Sequence, residues 1–166
     1  MKYTTDSFRL DCKELAERVG SFPFNYILCV QRGGGFVVNE MIQHIPHNNF
    51  YVVDIKVSFY DGQNRRDAPI VHYPSCKVFK DTDKVLIVDD LCDGGHTLKY
   101  ISKMYVLSKC RFKTAVLLKK PTSVYNPDYC LHDNVTSWVQ FPHEDENGNH
   151  LSDAGVSHAS CMTSKA

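Results

Sequence analysis

Excess charge of either sign is missing from this chain: 19 Lys and Arg balance 19 Asp and Glu. A bulk electrostatic footprint for nucleic acid or an anionic membrane surface is therefore absent. No apolar run approaches the ~20 residues needed to span a bilayer. The opening residues, Met1 to Asp6, lack the apolar core of a secretory signal, so none is expected. Cys-x-x-Cys is absent as well. The seven cysteines, Cys12, Cys29, Cys76, Cys92, Cys110, Cys130 and Cys161, are odd in number and scattered. Free thiols in a reducing cytoplasm account for them better than disulfides. His44 and His47 form the one close histidine pair before the C-terminal stretch, but Pro46 lies between them and argues against a metal-binding helix face. No internal repeat is visible, and 166 residues suit one domain with a real core. Residues 145–166 are polar and short of apolar anchors, and are expected to be a mobile tail following a domain over 1–144.

The chain is organised around Val85-Leu86-Ile87-Val88-Asp89-Asp90-Leu91-Cys92-Asp93-Gly94-Gly95-His96-Thr97-Leu98. An apolar run without alternation reads as a strand covered on both faces, as in a parallel sheet. Open α/β sheets place ligands at the carboxyl ends of such strands. Adjacent carboxylates there suit sugar hydroxyls, or Mg²⁺ through water. The Gly94-Gly95 pair lets backbone approach a ligand, and N–H groups at a helix start with the Thr97 hydroxyl suit a phosphate. The plain structural account is a buried strand followed by an acidic turn. The order strand, three carboxylates, Gly-Gly, Thr favours the phosphate-sugar account.

A second strand end has the same character. Tyr26 to Val30 reads as a short buried strand running into Gln31-Arg32-Gly33-Gly34-Gly35, with a helix expected over 36–44. Glycine N–H groups beside a guanidinium make an oxyanion cradle. A tight strand-to-helix connection would use the same glycines, but one ligand with two phosphate ends would explain both cradles.

Elsewhere the pattern predicts a helix capped by Asp6 or Ser7 and ending at Gly20, with Phe8, Cys12, Leu15, Ala16 and Val19 inward. A strand is expected over 50–57, then a long polar loop over 58–69 suited to a lid. Residues 70–77 read as a hairpin arm and 97–109 as a helix, with Leu98, Ile101, Met104 or Tyr105, and Leu107-Ser108 along its buried stripe. Thr114 to Leu118 reads as a strand ending at Lys119-Lys120-Pro121, and 125–133 as a turn-rich connection. A lysine at that strand end is either solvated or a point-charge donor to an exocyclic carbonyl oxygen. Trp138, the one tryptophan, is either core or a platform for a stacked base.

These segments together resemble the type I phosphoribosyltransferases, nearest to the xanthine–guanine, 6-oxopurine enzymes. The resemblance runs in order over roughly residues 1–144. Asp89, Asp90, Asp93, Gly95 and Thr97 fit the family's motif for phosphoribosyl pyrophosphate (PRPP). Gly94 stands where Thr or Ser is usual, and His96 where a small residue is usual. The Arg32-Gly33-Gly34 turn is similar to the pyrophosphate loop and implies a cis Arg32–Gly33 peptide. Ser58, Tyr60 and Arg66 match the flexible catalytic loop. Lys120 fits the lysine that contacts O6 of the base better than Lys119 does. Trp138 and Pro142 match the base-closing segment, in which main chain near Val139 reads the base edge and His143 replaces a common Trp.

The resemblance implies an α/β fold, a mainly parallel sheet flanked by helices with a small hood. It implies transfer of the 5-phosphoribosyl group from PRPP to guanine, xanthine or hypoxanthine, releasing pyrophosphate, in purine salvage. Mg²⁺ would be held by Asp89 and Asp90. Asp93 and Arg66 would be catalytic. PRPP would meet Arg32, Gly33, Gly34, Ser58, Tyr60, Asp89, Asp90, Asp93, Gly94, Gly95, His96 and Thr97, and the base would meet Lys120, Trp138 and Val139. A His96 side chain turned outward leaves the loop N–H groups to the phosphate; turned inward, it crowds the site or adds a donor. With Gly94 lacking a hydroxyl, a working enzyme with weakened PRPP binding is expected. A homodimer or homotetramer is implied, with neither nucleic acid nor membrane as partner. A PRPP- or nucleotide-sensing regulator on the same fold is the alternative. The central loop also resembles that of PRPP synthetases, which need a much longer, duplicated chain.

Overall fold

The computed structural model describes residues 1–61, 63–73, 78–106 and 109–151. Thr5–Val19 forms helix α1. Its cap is Thr4, earlier than the Asp6 or Ser7 expected: the Thr4 hydroxyl accepts from Ser7 N–H at 3.1 Å, and Ser7 Oγ accepts from Thr4 N–H at 3.1 Å. That reciprocal box satisfies two N–H groups that the first helical turn leaves open. Phe8, Cys12, Leu15, Ala16 and Val19 form the buried face, as their spacing predicts.

Strand β1 (Tyr26–Val30) leads into helix α2 (Gly33–Met41), which begins three residues before the expected Phe36. Strands β2 (Tyr51–Asp61) and β3 (Asn64–Tyr73) pair antiparallel. The expected lid loop over 58–69 is thus the outer half of a hairpin. Its arms show no apolar period because residues 63–68 are all exposed, and the cross-strand ladder satisfies the backbone without a buried face. Pro69 is tolerated in β3 because β3 is an edge strand. Part of the 70–77 arm, from Pro74 onward, lies outside the described residues, as does Leu107-Ser108.

Strand β4 (Lys84–Cys92) is the centre, followed by helix α3 (His96–Val106), strand β5 (Arg111–Lys119) and strand β6 (Tyr129–His132). The helix expected to reach Lys109 does not, since Lys109 has φ of 63°. Strand β6 replaces part of the expected turn-rich connection. It is only four residues long, and it forms by pairing with β5 after Asp128 anchors the chain. The Asp128 carboxylate accepts from Thr114 N–H at 2.9 Å and from the Thr114 hydroxyl at 3.1 Å.

The sheet order is β3-β2-β1-β4-β5-β6, parallel except for the β2–β3 pair. This is the expected architecture. Alternate residues of β1, β4 and β5 feed two cores. Ile27, Cys29, Leu86, Val88, Ala115 and Leu117 pack under α1 and α2. Leu28, Val30, Val85, Ile87 and Val116 pack under Leu98 and Ile101 of α3. Each such aliphatic side chain contributes about 1.5–3 kcal/mol on full burial. Both faces being covered explains the unbroken apolar runs, and the topology puts the carboxyl ends of β1 and β4 side by side.

Candidate active site

The two glycine turns meet at those strand ends. Gly33 lies against the Asp90 carboxylate: a Cβ there would fall 2.1 Å from Oδ2. Gly34, in the first turn of α2, is buried against the sheet, where a Cβ would fall 2.4 Å from the Val88 carbonyl oxygen. Gly33 therefore serves close approach to a cavity, while Gly34 serves close packing of helix on sheet. The cis peptide is Gln31–Arg32, one bond earlier than Arg32–Gly33. Gln31 lines a cavity and donates from Nε2 to Asp54 Oδ1 at 2.9 Å. Arg32 is exposed and lines neither cavity.

At the end of β4, Asp90 N–H donates to Asp89 Oδ1 at 2.9 Å, and Leu91 N–H donates to Asp90 Oδ1 at 2.6 Å. Burial raises both carboxyl groups above the ordinary range, Asp89 further because Asp90 faces it with like charge. Such a pair favours a cation or sugar hydroxyls as its neighbour. Gly95 has φ of +79°, and a Cβ there would meet Ser123 Oγ at 2.4 Å, so the turn into α3 requires glycine. His96 turns inward over Gly94, where a Cβ would sit 3.0 Å from His96 Cδ2. The two departures from the family motif are thus neighbours in space.

A cavity of about 400 Å³ runs along this turn. Its walls include Ser58, Tyr60 and Arg65 from the hairpin, and Asp89, Asp93 and residues 94–97 from the loop. The Ser58 hydroxyl is engaged locally, donating to the Tyr60 carbonyl at 2.9 Å. Arg66, singled out from the sequence, is absent from these walls, and Arg65 takes its place. Arg65 Nη2 lies 3.3 Å from His96 Nε2.

A second cavity, about 380 Å³, opens on the other side of the carboxylates, lined by Gln31, Gly33, Asp89, Asp90, Asp93, Thr97, Lys120, Trp138, Val139 and Glu144. The cavities share Val57, Asp89, Leu91, Asp93 and Thr97, so they form one cleft. Lys120 Nζ donates to the Ser137 carbonyl, whereas Lys119 turns to Asp133 at 3.2 Å. Val139 is buried and Trp138 is 69% exposed. Trp138 is therefore a wall of the cleft and not core.

The hood continues past residue 144. Asp145 accepts from Asn147 N–H and Asn149 N–H, each at 2.8 Å, and Glu144 bridges His150. The tail expected from Asp145 thus begins as a folded turn, and residues 152–166 lie outside the described residues. Sequence reasoning missed this turn and the ring stack it completes. His143 lies on Phe36 with centroids 3.8 Å apart and rings 5° from parallel, and His150 follows at 5.5 Å. Burial, with His150 beside it, lowers the His143 pKa to about 4. His47 packs its ring against Phe24 at 4.9 Å. Among the described residues Cys12, Cys29, Cys92 and Cys130 carry free thiols. Among the described residues no helix is long and apolar enough to cross a membrane.

A parallel sheet with two glycine turns and a hooded cleft over two carboxylates suits a ligand that joins a phosphate to a sugar. Consistent with this, the phosphoribosyl transferase domain model matches residues 13–146, and the chain belongs to that family. Among its relatives, xanthine-guanine phosphoribosyltransferases of Vibrio parahaemolyticus and Vibrio vulnificus are 30% and 29% identical over 140 residues, 84% of this chain and 85% of each relative. A purine phosphoribosyltransferase structure from Pyrococcus horikoshii superposes with a TM-score of 0.76 at 26% identity, covering 87% of this chain and 94% of that one. The Helicobacter pylori xanthine-guanine-hypoxanthine phosphoribosyltransferase, at 24% identity and a TM-score of 0.67, shares the fold.

Proposed function

We propose that this protein transfers the 5-phosphoribosyl group of PRPP to N9 of a 6-oxopurine, giving the nucleoside 5′-monophosphate and pyrophosphate in purine salvage. The observation that carries this reading is the shared wall of the cleft. Asp89 and Asp93 line both cavities, one flanked by phosphate-type donors and the other by Lys120, Trp138 and Val139. A ligand with a phosphate end and a base end has its sugar carbon at that junction.

The PRPP 5′-phosphate sits on the N–H groups of residues 94–97 and the Thr97 hydroxyl, at the start of α3. Pyrophosphate lies toward Gly33 and Arg32, and Gly34 supports this turn where α2 packs against the sheet. Asp89 and Asp90 hold the ribose hydroxyls. The base lies beneath Trp138, its 6-oxygen toward Lys120 Nζ and its edge on main chain at Val139. As the bond from C1′ to pyrophosphate lengthens, N9 approaches from the hood side and C1′ gains oxocarbenium character. Asp93, exposed at the junction of both cavities, holds or takes the proton at purine N7. Ser58, Tyr60 and the arginines of the hairpin keep water from C1′.

Asp89 and Asp90 fit Mg²⁺, being hard oxygen donors whose burial disfavours unpaired charge. Among the described residues no group of three or more His, Cys, Asp or Glu side chains could hold a metal ion. Held by Asp89 and Asp90, Mg²⁺ would supply positive charge that offsets the negative charge of the departing pyrophosphate. A cytoplasmic homodimer or homotetramer is the form in which this activity is expected.

The test is pyrophosphate release from PRPP and Mg²⁺ with guanine, xanthine, hypoxanthine, adenine, uracil and orotate. Release with a 6-oxopurine, reduced about 10²–10⁴-fold in Asp93→Asn, is the expected result. PRPP binding without release for any base would favour a sensing role instead.

A further inference from the structure

The geometry points to Arg65 and His96 as a paired side-chain clamp on the terminal phosphate of the phosphoribosyl ligand, one jaw carried by the β2–β3 hairpin and the other by the turn into α3. The inference rests on the reading of the cleft as a phosphoribosyl site, and it adds Arg65, which lies outside the loop motif, and a positioning role for the His96 side chain.

Three observations converge. First, Arg65 and His96 both line the cavity that also carries Gly94, Gly95 and Thr97. Their contact, 3.3 Å from Nη2 to Nε2, bridges hairpin and loop. A guanidinium can only donate, so the hydrogen bond of this contact runs from Arg65 to His96 Nε2. Second, the His96 ring is held in place. Phe59 of β2 lies 5.9 Å from it and also meets Tyr100 edge-on, while the missing side chain at Gly94 leaves the room the ring occupies. Third, among the described residues no carboxylate pairs with the guanidinium; its contact is with the His96 imidazole. A cationic fork turned into a polar cavity opposite a helix start is matched to a phosphate monoester.

The loop N–H groups approach such a phosphate from one side only. Arg65 supplies the opposite side, and to reach it the guanidinium exchanges its imidazole partner for phosphate oxygens. Phosphate occupancy then draws the hairpin, with Ser58 and Tyr60, toward the loop. The residue missing at position 94 and the imidazole at 96 act together: the ring stands where a side chain at 94 would have been and orients Arg65 before the ligand arrives.

The experiment is calorimetric binding of ribose 5-phosphate and, separately, of pyrophosphate with Mg²⁺ to the full chain, to Arg65→Gln, Arg65→Lys and His96→Ala, and to Lys99→Gln as a charge control one turn along α3. Loss of a charge-assisted hydrogen bond weakens binding by about tenfold or more. The expected result is that loss for ribose 5-phosphate in Arg65→Gln, a smaller loss in Arg65→Lys and in His96→Ala, and pyrophosphate and Lys99→Gln within twofold of the parent. Ribose 5-phosphate affinity unchanged in Arg65→Gln, equal loss for pyrophosphate, equal loss in Lys99→Gln, or no ribose 5-phosphate binding by the parent would each overturn the clamp. A parent that turns over PRPP yet shows no dependence on Arg65 loses the clamp and keeps the function. Arg65-dependent binding without turnover for any base loses the function and keeps the clamp.

Discussion

The floor of the cleft and its two flanks face the same ligand space but are built in opposite ways. The floor, where β1 and β4 end, has no slack. Gly33 touches a carboxylate, Gly34 touches backbone, and the strands beneath are buried on both faces. The flanks, the hairpin on one side and the hood on the other, are thin and solvated, with Tyr60 58% and Trp138 69% exposed. A rigid floor fixes the reacting carbon, and exposed flanks are free to open for substrate and close over it. Changes to the floor should therefore cost stability, while changes to the flanks should cost binding and leave the fold alone.

The sharpest way to break this contrast is Gly34→Ala. Its Cβ would meet the Val88 carbonyl oxygen at 2.4 Å, and backbone cannot step aside. Overpacking of this kind should destabilise the protein by about 3 kcal/mol, read as a lower denaturation midpoint in urea with unchanged slope. A stability within 0.5 kcal/mol (about the scatter of surface substitutions) would show that the floor has slack after all.

His143 tests the hood where it meets the floor. Burial lowers its pKa from the ordinary 6.5 to about 4 on folding, so the unfolded chain binds the proton more readily. The stability linked to the neutral ring is full above pH 6.5 and is lost as pH falls toward 4. Each pKa unit is about 1.4 kcal/mol, so moving from pH 7 to pH 5 should cost about 2 kcal/mol through this residue. Asp89 and Asp90, whose carboxyl groups are raised, shift stability the other way, so the reading must be a difference. His143→Phe should be less sensitive to acid than the parent by that amount in urea titrations at the two pH values. Equal sensitivity would remove the buried ring from the account.

Trp138→Ala is the mildest and most diagnostic change. Base stacking on an aromatic ring is worth about 1–3 kcal/mol. The KM for the purine should rise about tenfold, with kcat for saturating base and the melting temperature nearly unchanged. A large fall in melting temperature would mean that this exposed ring supports the hood and not the base.

The same contrast explains what could be read from the chain without coordinates. The floor was legible because double burial writes continuous apolar runs such as Val85 to Val88, and because glycines and carboxylates at strand ends have few other uses. The flanks were not. The outer half of the hairpin, with residues 63–68 all exposed, carries no apolar period, so residues 58–69 read as a loop. Arg65 and Arg66 are adjacent, and in a strand adjacent side chains leave on opposite faces. Only the pairing of Tyr60 with Arg65 decides which of them meets the cleft. Lys119 and Lys120 posed the same choice, and there the position before Pro121 pointed to the residue that lines the cleft. Strand β6 was missed because four residues have no periodicity to find. The His143–His150 stack was missed because it joins residues across a turn that composition alone marks as tail.

The hairpin has one more property, which concerns other molecules. Among the described residues strand β3 ends the sheet, and a sheet edge invites a second chain to add a strand. Arg65, Arg66, Asp67 and Pro69 stand along that edge, and charge together with a missing N–H makes it a poor template for aggregation. The residues that conceal the hairpin from a reader of the sequence also make its edge a poor partner for strand addition by a neighbouring copy.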